Sequence, residues 1–182
     1  QISSAIQTFS MNLVTAFKPQ LTQSYAVGNY RRTEQLMCVM SKMSYILMSI
    51  LAIPVLVEMD YVLHIWLGDT IPEHTGIFAA LTIVAMMIGV LNTPITQVVH
   101  SVGNIKMYEI ITSIVIFSIL PVSWIFLKLG FDVESVFFVT IIMMLINQIA
   151  SLLVLRRVFE FNLGKYVLSV VVPCALITVS AL

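Results

Sequence analysis

Residues 77–99 read IFAALTIVAMMIGVLNTPITQVV, 23 positions without one charged side chain. Crossing about 30 Å of hydrocarbon takes roughly 20 helical residues, so this stretch is long enough to span a bilayer. It lacks the alternation of a barrel strand and is too long to be one. Because hydrocarbon offers no partners to backbone amides, they must be paired within the segment itself, which leaves a helix. Residues 2–17, 36–57, 110–127, 133–155 and 166–182 read the same way. The expected fold class is all-α, a polytopic transmembrane bundle of about six helices in one domain over residues 1–182. The sequence opens on Gln1 without a methionine or a basic leader, and its first and last apolar stretches are short, as expected of a piece of a longer chain.

Composition agrees with that reading. The chain is 59% hydrophobic and 10% charged, with a mean hydropathy of +1.02, whereas soluble domains carry about 25% charged residues. Nine cations and nine anions cannot cover a water-facing surface of this size. Zero net charge removes the basic field that a nucleic-acid partner requires. Cys38 and Cys174 lie inside apolar runs, where they are expected to pack as small hydrophobes.

Charge distribution sets an expected orientation. Lys18, Arg31, Arg32 and Lys42 surround the first connection, Lys106 the third, and Arg156, Arg157 and Lys165 the fifth. The alternate connections hold Glu58, Asp60, Asp69 and Glu73, then Asp132 and Glu134, with Lys128 the one cation among them. Positive residues favour the cytoplasmic side, so residues 18–35, 100–109 and 156–165 are expected there. Residues 18–35 read as a helix ending near Gly28 and restarting at Thr33, lying along the interface with Leu21, Tyr25 and Val27 toward lipid. In the connection after the second helix, Trp66 suits an interfacial belt, while Gly68 and Pro72 break structure.

Polar residues at membrane depth carry the functional question. Ser4, Thr8, Asn12 and Thr15 recur along one face of the first helix. Thr93, Thr96, Gln97 and His100 do so near the end of the third, where Pro94 frees the carbonyl of Val90 and bends the helix. Such groups either join helices or line a path for a polar solute, and both readings stand. Asn147 and Gln148 form an isolated pair for which packing is the expectation. No acidic residue sits near the centre of a span, and no nucleophile, phosphate-loop or metal-ligand motif occurs. An enzymatic role is therefore not expected, nor a cofactor or metal.

Four pieces of sequence resemble a known family: QISSAIQTFSMNLVTAFKPQLTQSYAVGNYRRTEQL (1–36), VLHIWLGDTIPEHT (62–75), SVGNIKMYEI (101–110) and LPVSWIFLKLG (120–130). Together they resemble the C-terminal part of polysaccharide biosynthesis proteins of the O-antigen flippase type, in the superfamily that includes multidrug and toxic compound extrusion carriers. Where relatives carry Ala-Thr-Gly-Lys-Ile-Lys, this chain keeps Gly103, Ile105 and Lys106 but has Asn104 in place of the first lysine. The resemblance implies a two-lobed carrier of 12 to 14 helices, of which this chain supplies about six. It further implies alternating-access export of undecaprenyl-diphosphate-linked oligosaccharide across the bacterial cytoplasmic membrane, for lipopolysaccharide or other surface polysaccharide. Under it, Ser4, Thr8, Asn12, Thr93 and Gln97 would line the cargo cavity, and Lys18, Arg31, Arg32 and Lys106 would meet the head group. Expected partners are the lipid-linked oligosaccharide, membrane lipids and other polysaccharide assembly proteins. The rivals are a solute antiporter of the same architecture and a membrane polymerase or ligase. An antiporter would want a mid-membrane carboxylate; a polymerase or ligase, a long outer loop with paired arginines or carboxylates.

Overall fold

The computed structural model describes residues 2–68, 72, 74–103, 105–159 and 161–181, with side chains omitted at 2–7, 9–11, 13 and 179–181. The described chain is an all-α bundle of transmembrane type. Helix α1 is Ile2–Ala26, α2 Tyr30–Val57, α3 Met59–Leu67, α4 Thr75–Val90, α5 Asn92–Val102, α6 Lys106–Lys128 and α7 Ser135–Val158; α8, Leu163–Tyr166, passes through a π-helical turn, Val167–Val171, into α9, Val172–Ala181. Among the described residues four helical stretches are long and apolar enough to cross a membrane: α2, α4 with α5, α6 and α7. The first stretch is long but diluted by its polar residues, and the last is a shorter apolar helix over Leu163–Thr178.

Each departure from the expected boundaries has a local cause. The first helix does not stop at Phe17 but runs through Pro19 to Ala26. The missing donor at Pro19 removes one helical bond without ending the helix. Instead, the end is set by Gly28 at φ 73, where Gly28 N–H donates to the Tyr25 carbonyl (2.9 Å) and Asn29 N–H to that of Ser24 (3.0 Å), a left-handed closure that glycine adopts without strain. Asn29 then caps α2, its Oδ1 accepting from Arg32 N–H at 3.1 Å, so α2 starts at Tyr30, not Thr33. Leu21 is fully buried, which corrects its expected lipid exposure; Tyr25 is half-buried and only Val27 stands out. The connection after α2 holds an unexpected helix, α3, because Met59 and Leu63, four residues apart, both face the core. In the last helix Val172 N–H reaches back five residues to Val167, one residue before Pro173, whose ring excludes the regular ladder.

Residues 77–99 do not form one straight helix. Leu91 N–H donates to Ile88 (3.2 Å), a tightened turn that separates α4 from α5 just ahead of Pro94, as the proline predicts.

Helix α2 is the centre of the bundle. Its buried residues Met37, Met40, Ser41, Ser44, Tyr45, Met48 and Ala52 share one face, meeting Leu21 from α1, Ile83 and Met87 from α4, Ile95 and Val99 from α5, and Tyr166, Val170 and Cys174 beyond α7. Small hydroxyl residues let helices approach closely where lipid provides no hydrophobic drive. Helix α6 is peripheral: it packs along α7 while Phe117 and Leu120 stay 75% and 70% exposed. Cys38 and Cys174 are free thiols, the second buried.

The ends differ in charge. At one end Thr22 of α1 meets Ser101 of α5 (3.2 Å), Glu34 of α2 meets Lys165 of α8 (3.8 Å) and His100 meets Glu109 (3.0 Å), which gathers Arg31, Arg32, Lys106, Arg156 and Arg157 there. At the other end His74 bonds Glu134 (3.0 Å), Phe78 stacks on Phe137, and Lys128 sits 4.4 Å over Trp124. Asp69 and Glu73 of the acidic loop lie outside the described residues.

Candidate functional site

On α1, the packed face is marked by Val14, Leu21 and Ser24, all buried, whereas Thr8, Asn12 and Thr15 are exposed. At 100° per residue the two sets fall on opposite sides of the helix. The polar row therefore faces away from the bundle. Ser4, which the periodicity adds to that row, lies outside the residues whose side chains are described.

On α5 the polar row divides between two neighbours. The Thr96 hydroxyl donates to the Asn92 carbonyl (3.1 Å), which leaves its oxygen to accept from Tyr108 (2.6 Å) on α6. His100 reaches Glu109 on the same helix. Thr93 and Gln97 are half-buried, and Gln97 Oε1 has no hydrogen-bond partner among the described residues. The next turn, Ser101, bonds α1 through Thr22. Thr96 and His100 thus join helices, while Thr93 and Gln97 keep a polar edge beside α1. Thr8 and Asn12 look outward from one helix and Thr93 and Gln97 are half-covered on its neighbour, so the two groups do not form a single walled cavity within this chain.

A buried polar seam is the part that spacing did not reveal. Tyr108, 2% exposed, also accepts from Asn92 Nδ2 (3.4 Å) and Ser151 Oγ (3.5 Å), linking α5, α6 and α7. Tyr166, fully buried, donates toward Ser41 Oγ (3.2 Å) and the Leu91 carbonyl at the α4–α5 break (3.5 Å). Asn92 also borders a cavity of about 230 Å³, with Gly89, Ile116, Met144, Asn147 and Gln148. Asn92 Oδ1, Asn147 Oδ1 and both polar atoms of Gln148 have no hydrogen-bond partner among the described residues. Asn147 and Gln148, expected to pack, do border this cavity.

The cations expected to meet a head group are exposed at one end of the bundle. Arg32 borders a shallow pocket of about 210 Å³ with Gln20, Gln23 and Asn29; Lys18, Arg31 and Lys106 do not line it. They share an end, not a pocket. Among the described residues no three His, Cys, Asp or Glu side chains come together as metal ligands. Comparison with protein-family models, with curated proteins and with solved structures finds no match to this chain.

Proposed function

We propose that this membrane bundle is part of a carrier that moves lipid-linked oligosaccharide from the inner to the outer leaflet of the bacterial cytoplasmic membrane, with α1 as one wall of the path. The observation that supports this reading is the outward polar face of α1. Asn12 has two donors and an acceptor, and leaving such a group against hydrocarbon costs several kcal/mol. A water-filled or glycan-filled cleft removes that cost. Thr93 and Gln97 extend the polar surface onto the adjacent helix, and Arg31, Arg32, Lys18 and Lys106 supply positive charge where a diphosphate would enter. The sugar cargo and the leaflet direction come from the sequence resemblance. An antiporter for another solute would use the same polar wall, and the choice of cargo in the test separates the two.

The test is cysteine scanning of Thr8, Asn12, Thr15, Thr93 and Gln97 in the full-length protein with Cys38 and Cys174 replaced by alanine. A water-soluble thiol reagent should label the α1 positions, and added lipid-linked oligosaccharide should suppress that labelling. Protection by an unrelated cationic solute alone would favour the antiporter, and uniformly unreactive α1 positions would overturn a polar path along this helix.

A further inference from the structure

At the cation-rich end helices α6 and α7 border a groove of about 420 Å³, bounded by Met107 and Ile111 on α6 and by Ala150, Leu153, Val154 and Arg157 on α7. We propose that this groove binds one acyl chain of an anionic membrane glycerophospholipid, with Arg157 on its phosphate. Positions 107 and 111 are four apart, and 150, 153, 154 and 157 follow one face of α7, so each helix contributes a single stripe. The wall is aliphatic, and its volume falls in the range of small-molecule sites.

Depth matches the shape of such a lipid. Lys106 begins α6 and the Trp124–Lys128 pair marks the far boundary of the same helix, so Met107 lies at head-group level. From Arg157 to Ala150 the groove descends about 10 Å at 1.5 Å per residue, into the region of acyl chains. Charge matches as well. Among the described residues no carboxylate lines the groove, and the nearby Glu109 is turned to His100 at 3.0 Å. Arg156, one residue away, belongs instead to a pocket with Glu34 and Asn162. Arg157 is thus an exposed guanidinium at the mouth of an apolar slot, the arrangement by which basic residues between membrane helices take lipid phosphates. A zwitterionic lipid would fill the slot equally well but would gain less from the cation.

Native mass spectrometry of the full-length protein released from micelles, titrated with phosphatidylglycerol or phosphatidylcholine, tests this. Arg157→Gln should weaken phosphatidylglycerol binding about five-fold, the effect expected of one cation near a lipid surface, and leave phosphatidylcholine unchanged. Arg156→Gln should have little effect, and Ala150→Phe, which fills the slot while keeping the cation, should also lower binding. Equal losses for the two arginine variants, or equal binding of the two lipids, would reduce the groove to ordinary lipid contact and overturn the proposal. So would Ala150→Phe binding normally in a protein with unchanged circular dichroism. Tighter binding of a polyprenyl diphosphate than of phosphatidylglycerol would assign the slot to cargo, and a protein dimer in place of lipid adducts would assign it to a second copy.

Discussion

The Tyr108 hydroxyl has three partners on two other helices: Thr96 and Asn92 on α5 and Ser151 on α7. In water such a group would compete with solvent, but here it is 2% exposed, and its loss leaves the Asn92 amide without its bond to that hydroxyl. Hydrogen bonds between membrane helices average about 0.6 kcal/mol and reach about 1.7. Tyr108→Phe should therefore destabilise the bundle by about 1 to 2 kcal/mol, measured by denaturant unfolding in mixed micelles. Thr96→Val should cost less, because Tyr108 then keeps two partners, and the double variant should cost less than the sum of the two. Strict additivity would mean that the 2.6 Å contact contributes nothing beyond packing. Sequence periodicity placed Thr96 on the same face as Gln97 and His100, yet which neighbour each side chain meets depends on the α6 register, information that no single helix carries.

At the scale of elements, the α1–α2 hairpin shows how little sequence its geometry requires. Gly28 closes α1 with a positive φ, Asn29 caps α2, and Thr33 bonds back to the Asn29 carbonyl (3.1 Å) and to Ser24 Oγ (3.3 Å). A Cβ at position 28 would meet no atom within 4 Å, so any penalty is backbone strain alone. Gly28→Ala should cost roughly 1 to 2 kcal/mol, the price of left-handed backbone for an L-residue, and thermal unfolding in detergent would measure it. An unchanged midpoint would mean that the turn relaxes to another conformation. The same hairpin marks the limit of sequence reading. The turn at Gly28 and Asn29 is legible because only a few residue types adopt it, and the helix interruption before Pro94 is legible because proline cannot donate. Leu21 was misplaced for the opposite reason. In a chain this apolar, leucine faces lipid or core with equal ease, and only the helix continuing through Pro19 turns it inward. Helix α3 was missed because it is only 9 residues long, too short to span a bilayer, and the Gly68 and Pro72 that follow it dominate a local reading. The polar row of α1 was legible in full as a periodicity, but its outward direction was not, since that depends on which face α2 and α5 cover.

For the whole molecule, the separation of charge between the two ends follows from the way the helices are tied together. Contacts among the ends of α1, α2, α5, α7 and α8 gather Arg31, Arg32, Arg156, Arg157 and Lys165 on one side, and the contacts of His74 with Glu134 and Phe78 with Phe137 close the other. The positive-inside rule predicts from this bias that the cationic end stays in the cytoplasm. The orientation is checked with single cysteines at Ile105, exposed at the cationic end, and Phe131, exposed at the opposite end, each with Cys38 and Cys174 replaced by alanine. A membrane-impermeant thiol reagent added to intact cells should label Phe131→Cys and reach Ile105→Cys only after permeabilisation. This ordering also bears on the proposed carrier function, under which a diphosphate-bearing cargo would be collected where the cations are. If Ile105→Cys labels first, the cationic end faces outward and inner-to-outer export loses its electrostatic entry point. If Phe131→Cys labels first, Arg157 and the α6–α7 groove lie in the cytoplasmic leaflet, where anionic lipid is available to fill it.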